Sequence, residues 1–319
     1  MARALEGLRL YQEAERGPAR QPMPAVATLR GAALRDYGGS GPPVVFIPSL
    51  INPPTVLDLS PERSLLRWLG EGGVHPLLLD WGWNIAARQD LGVAGHVEDI
   101  LLPLLRGLGE PPLLVGYCLG GTMALAAAEP AEAKGVAVIA APWNFSAFPP
   151  ESRATIAELW ESARPTVDTL SVLPMEVLQS AFWSLDPART VRKFEAFAAM
   201  APGSREARSF IALEDWANDG PPLGQAAARE MFEGFFRDDL PGRGGWQVAG
   251  RTVDPAALPC PLLNIVSTTD RIVPQESAPR AGELLRLAQG HVGMVVGGRA
   301  REALWEPLSR WLSRIAASC

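Results

Sequence analysis

Four apolar runs of strand length punctuate the first half of the chain: Pro43–Pro48 (PVVFIP), His75–Trp81 (HPLLLDW), Pro112–Tyr117 (PLLVGY) and Val136–Ala141 (VAVIAA). None shows the alternation of a half-exposed strand, so each reads as a buried parallel strand. Segments of helical spacing separate them. Pro61–Leu69 has Pro61 and Glu62 suited to a first turn, with Gly72-Gly73 as its stop. Val93–Leu108 and Thr122–Ala128 follow, and a leading helix is expected near Leu5–Glu15. Strand–helix alternation of this kind predicts a doubly wound, mostly parallel sheet. The pattern breaks near Pro142. From Trp143 to about Gly250 the chain turns to helical stretches punctuated by Pro and Gly and rich in aromatics, among them Phe145, Phe148, Trp160, Phe182, Trp183 and Phe232. Alternation resumes at Pro261–Ser267 (PLLNIVS) and ends in a helix over Arg299–Ala317. The expected division is therefore residues 1–142 as the first part of a core, 143–250 as an inserted helical cap, and 251–319 as its second part. A lid over the carboxyl edge of the sheet and extra core-packing helices are both open readings of the insertion.

Composition narrows the function classes. A chain of 319 residues, 47% hydrophobic and 20% charged, is long enough for one large α/β domain with an insertion. Its net charge of −6 argues against a nucleic-acid partner. The three cysteines, Cys118, Cys260 and Cys319, form no closely spaced pair, so neither a disulfide framework nor a structural zinc site is expected. The N-terminal segment lacks the apolar stretch of a signal peptide, and no window of about 18 apolar residues is present. A cytoplasmic location without a transmembrane segment is the expectation.

The strongest chemical signal is Gly116-Tyr117-Cys118-Leu119-Gly120-Gly121, set between a strand and a helix. In a nucleophile elbow of the G-x-S-x-G type the turn is so tight that the residues two before and two after the nucleophile lack side chains. Gly116 and Gly120 occupy those places, and Cys118 stands where the nucleophile would be. The head of the following helix favours a thiolate, and the Leu119 N–H is a candidate oxyanion donor. An inert, buried cysteine is the bland reading of the same turn.

Of three histidines, His291 alone lies after the last predicted strand, as the chain order nucleophile, acid, base requires. His75 opens a strand at the far end of the sheet, and His96 sits within a helical pattern; both read as structural. Asp270, directly after Pro261–Ser267, is placed to orient the histidine. Asp80 lies on the wrong side of Cys118 in chain order, and Asp254 precedes the strand. A second oxyanion donor is expected from the loop after Ile47, with the N–H of Leu50 or of Ile51. Together these features specify an α/β-hydrolase fold with a Cys118–His291–Asp270 triad.

Beyond the elbow, the segments Ile51-Asn52, Leu57–Leu65, Asp80-Trp81-Gly82, Glu214-Asp215-Trp216, Pro259–Ile265, Asp270–Pro274 and Gly290–Gly293 resemble, in the same order, the polyhydroxyalkanoate synthases, most closely the class III catalytic subunits. The resemblance runs from about residue 43 to the C-terminus. It implies that Cys118 takes the acyl group of a hydroxyacyl-CoA as a thioester. His291 would deprotonate the thiol and later the attacking hydroxyl, with Asp270 tied to that second role. It also implies a partner subunit or a homodimer, and a location at polyester granules. Hydroxyacyl-CoA enters as substrate; neither a metal nor an organic cofactor is expected. The chain lacks the long N-terminal domain of the larger synthases, and the stretch from Asp270 to His291 is short. A relative acting as a thioesterase, esterase or depolymerase is the alternative, and a non-enzymatic granule-binding protein a third.

Overall fold

The apolar runs assemble side by side in an eight-stranded sheet. The computed structural model describes residues 2–17, 20–184 and 187–318; Cys319 and the side chains of Phe182 and Trp183 lie outside the described residues. The strands are β1 Ala25–Leu29, β2 Ala32–Asp36, β3 Pro43–Ile47, β4 His75–Asp80, β5 Leu113–Tyr117, β6 Gly135–Ile139, β7 Leu262–Ser267 and β8 Glu283–Leu287. They lie in the order β1-β2-β4-β3-β5-β6-β7-β8. The β1–β2 and β2–β4 pairs are antiparallel, and all others are parallel. Ile47 pairs with Gly116, and Tyr117 with Ile139. The carboxyl ends of β3, β5 and β6 therefore open at one level, where ligands bind in sheets of this kind.

Successive strand residues point to opposite faces, so an all-apolar strand feeds two cores. Val45, Ile47, Leu114, Val136 and Val138 enter one; Val44, Phe46, Leu113, Val115 and Ile139 enter the other. The helices are α1 Ala2–Glu13, α2 Leu65–Glu71, α3 residues 93–106, α4 Leu119–Ala128, α5 Pro150–Leu170, α6 Met175–Ser184, α7 Pro187–Phe197, α8 Arg205–Ala217, α9 residues 225–237 and α10 residues 301–317. The first face is covered by α3, α4 and part of the insertion, the second by α2 and α10.

Several boundaries move from their expected places for local reasons. The helix expected from Pro61 begins at Leu65, because the Ser64 hydroxyl caps it by accepting the Arg67 N–H at 3.0 Å. Residues ahead of it form a small hairpin of Asp58–Ser60 with Arg63–Ser64. The β1–β2 hairpin was not expected from the apolar pattern; its turn sets both Arg30 and Gly31 at positive φ (47° and 83°), the two-residue geometry that fits strand twist. Strand β8 is a further addition, lying between Asp270 and His291.

The insertion shares the first core rather than building its own: Phe145, Trp160, Phe235 and Trp246 pack in the same cluster as Ile47 and Leu119. Its two ends are tied by the buried Asp239 carboxylate, which accepts the Phe145 N–H at 2.8 Å and the Ser146 N–H at 3.1 Å. The N-terminal α1 lies across α7 so closely that a Cβ on Gly7 would sit 1.9 Å from the Phe194 carbonyl oxygen.

Candidate active site

Cys118 occupies the turn between β5 and α4 with φ 55° and ψ −129°, a conformation that non-glycine residues adopt only under constraint. The constraint is visible atom by atom. A Cβ on Gly116 would lie 2.4 Å from the Gly121 Cα, one on Gly120 2.0 Å from the Ile47 carbonyl oxygen, and one on Gly121 2.4 Å from the Ala141 Cβ. The Cys118 N–H donates to the Ile139 carbonyl at 2.9 Å, and its own carbonyl accepts from the Gly121 N–H at 2.8 Å. These contacts hold the sulfur at the mouth of the sheet.

His291 follows β8 on a short loop and brings its ring into the same place. Its Nδ1 lies 2.6 Å from Asp270 Oδ2, and the Asp270 side chain is fully buried. The other carboxylate oxygen accepts the N–H groups of Ile272 (2.8 Å) and Val273 (3.0 Å), which fix its orientation. Burial alone would lower the imidazole pKa. The charge of Cys118, within hydrogen-bonding range of the ring, and the bonded Asp270 carboxylate outweigh it and push His291 up to about 10. The site is therefore built to keep a proton on the imidazole, with Nδ1 held by the Asp270 carboxylate. Tyr117 backs the ring at 5.1 Å and donates its hydroxyl to the His291 carbonyl at 3.2 Å. Its own ionisation is pushed well up by burial and by the nearby Cys118 and Asp270 charges, so it stays a neutral donor.

Two cavities meet at the sulfur. The smaller, about 240 Å³, is bordered by Ser49, Asn52, Tyr117, Lys193, Glu214, Trp216 and His291. The larger, about 590 Å³, is bordered by Leu119 and by apolar residues of the insertion. Cys118, Ile51, Arg271 and Ile272 border both. Leu119 is the first residue of α4, which puts its N–H at a helix head beside the sulfur. The two candidates for the second oxyanion donor part company here. Leu50 is buried in the core and borders neither cavity, whereas Ile51 borders both. The Ile51 N–H donates to Ser49 Oγ at 3.2 Å, a long bond that an oxyanion could replace.

The remaining acids and histidines have other employment. His75 pairs with Asp36 at 3.1 Å near the amino end of β4. His96 is buried, bonds the Gly92 carbonyl through Nδ1 at 2.7 Å, and is pushed down to about 4 by burial. Asp80 pairs with Arg35 at 2.9 Å, and Asp254 caps a short helical turn through the Ala256 N–H. Among the described residues no group of three or more His, Cys, Asp or Glu side chains is placed to hold a metal ion.

Sequence reasoning placed Trp81 and Trp216 in segments of family resemblance but did not give them their task of holding the loop after β3. The Trp81 indole N–H donates to the Pro48 carbonyl at 3.1 Å, and that of Trp216 to the Pro53 carbonyl at 2.8 Å. Lys193, which pairs with the buried Glu214 at 2.6 Å on the wall of the smaller cavity, was missed. As one of only two lysines in an arginine-rich chain it carried a faint signal.

The chain is 26% identical to the poly(3-hydroxyalkanoate) polymerase subunit PhaC of Haloferax mediterranei over 85% of its own length and 58% of that protein's. It is 25% identical to the subunits of the same name from Thiocystis violacea and Allochromatium vinosum, over 85% of this chain and 80% of each of those. Among solved structures it is similar to a Nitrososphaera gargenis carboxylesterase (TM-score 0.54, 12% identity, covering 93% of this chain and 100% of that one) and to a Thermogutta terrifontis esterase (0.50, 16%, 94% and 100%). Those likenesses concern the fold alone. Among the described residues no helix is long and apolar enough to cross a membrane. The alpha/beta hydrolase family model matches residues 38–303, and with that span the chain belongs to the alpha/beta hydrolase family.

Proposed function

We propose that this chain is a polyhydroxyalkanoate-synthase-like acyltransferase, moving a hydroxyacyl group from CoA through a Cys118 thioester to a hydroxyl acceptor. One observation carries the reading: a sulfur at a strand–helix elbow, bordering the same cavity as the Asp270-bonded His291, in a chain whose curated relatives are named polymerase subunits. In the first half-reaction the Cys118 thiolate attacks the acyl carbonyl of the CoA thioester. The Leu119 N–H, with that of Ile51, receives the oxyanion, and the CoA sulfur leaves with the proton held by His291. In the second, His291 takes the proton of the acceptor hydroxyl as its oxygen attacks the enzyme thioester, and the Cys118 thiolate is released. Exchange between two thioesters is nearly balanced in energy, which suits a cysteine better than a serine. A partner subunit or second copy, and work at a polyester granule, belong to the same proposal.

The experiment is brief exposure to 3-hydroxybutyryl-CoA, following the mass of Cys118, free CoA and turbidity. An acylated cysteine with CoA release and turbidity supports transfer; CoA release without polymer supports a thioesterase instead. No release from any acyl-CoA removes the enzymatic reading. Asp270→Asn should spare acylation more than transfer, and equal loss in both half-reactions would contradict the split of roles.

A further inference from the structure

We propose that the larger cavity is a preformed acyl-chain chamber, and that the protein favours 3-hydroxyacyl groups with chains well beyond the four-carbon unit. The inference rests on the thioester reading above and adds to it the size of the acyl group.

The direction of the tail follows from which side chains border which cavity. The departing CoA sulfur and the arriving hydroxyl must both exchange a proton with His291, and His291 borders only the smaller cavity. Leu119, at the oxyanion side of the sulfur, borders only the larger. A carbonyl carbon bound to Cys118 thus has its leaving and attacking groups on one side and its hydrocarbon substituent on the other.

The chamber suits hydrocarbon. Its inner wall is Phe145, Phe148, Leu178, Met231, Phe232 and Phe236, of which all but Phe236 are at most 6% exposed. The wall is stiffened by stacking, within it between Phe145 and Phe148 at 5.8 Å and from behind by Trp160 on Phe232 at 5.1 Å. Away from the sulfur, the polar residues bordering it are Glu151, Ser152 and Thr155, all near the start of α5, where Glu151 and Thr155 are exposed. At about 590 Å³ the space is roughly four times the ~150 Å³ apolar cavity that accommodates a benzene ring. A four-carbon acyl unit would leave most of it empty.

The test measures Cys118 acylation by mass across 3-hydroxyacyl-CoA thioesters of four, eight, ten and twelve carbons at subsaturating concentration. Burial of each added methylene is expected to raise the acylation rate about fourfold at first, giving at least a hundredfold from four to ten carbons. Ile156→Trp and Leu159→Trp, half-buried positions of α5 on the chamber wall, should each cut the ten-carbon rate at least tenfold more than the four-carbon rate. A rate that is flat or highest at four carbons overturns the chamber while leaving the thioester reading intact. So does a length profile that neither tryptophan moves. Absence of an acyl adduct at every length overturns the thioester reading, and this inference with it.

Discussion

At the turn around Cys118 the backbone touches itself, with glycines at positions where any Cβ would lie within 2.5 Å of another atom, whereas the insertion above it is held by rings and buried carboxylates. The first kind of contact has no slack, since moving one atom moves the sulfur. The second is redundant: Phe145 alone meets Phe148, Phe235 and Phe236 at ring separations of 5.0 to 5.8 Å, so a lost neighbour weakens the packing without undoing it. The difference separates the part that must be invariant for chemistry from the part free to vary with the substrate.

The sharpest way to break this view is at the sulfur. Cys118→Ala should lower turnover by about five to six orders of magnitude and abolish the acyl adduct, with the fold intact by circular dichroism. Turnover that survives would remove the mechanism. Gly120→Ala is next: its methyl would have to occupy the Ile47 carbonyl, and a loss of about 4 kcal/mol or more, or failure to fold, is expected in urea melts. A mild effect would mean that the elbow has slack after all.

The buried histidines contrast the two kinds of site by the sign of their pH dependence. His96, held near 4 in the fold against about 6.5 unfolded, stays neutral while the unfolded chain takes up a proton. Its contribution is therefore present above pH 6.5 and lost as pH falls toward 4, by up to about 3 kcal/mol. His291, raised to about 10, behaves oppositely: its contribution is full below about 6.5 and lost as pH rises through 10. Urea midpoints of His96→Gln and His291→Gln against pH should each flatten the corresponding limb only. The smallest expected effect lies in the insertion. Asp239→Ala leaves the N–H groups of Phe145, Ser146 and Gly242 without their acceptor and should cost about 2–3 kcal/mol, with folding retained. Failure of that variant to fold would erase the distinction between the regions.

How much of this was legible in the chain follows the same division. Strands β3 to β7 announce themselves because both of their faces are buried, so nearly every residue is apolar. Strand β8 does not: it is an edge, with Glu283, Leu284 and Arg286 exposed, and its pattern looks like a loop. The stretch from Asp270 to His291 that looked abbreviated contains that strand, and β8 is what carries the histidine back to the acid. Cys118, Asp270 and His291 could be found because the fold places each at the carboxyl end of a strand in fixed chain order. Trp81, Trp216 and Lys193 could not be assigned tasks, since their partners Pro48, Pro53 and Glu214 lie elsewhere in the chain and nothing local records the pairing. The insertion was visible as a change of texture, with packing into the core as one of its two open readings.

The Asp239 carboxylate, by gripping the amides of Phe145 and Ser146, brings the two stems of the insertion within one side chain's reach of each other. A segment whose ends meet in this way closes at little entropic cost, and what fixes it over the sheet is the packing of Phe145, Trp160 and Phe235 with Ile47 and Leu119. Recombination near residues 145 and 239 would therefore transplant a new ceiling onto the catalytic floor only where the incoming segment supplied matching side chains for that shared core.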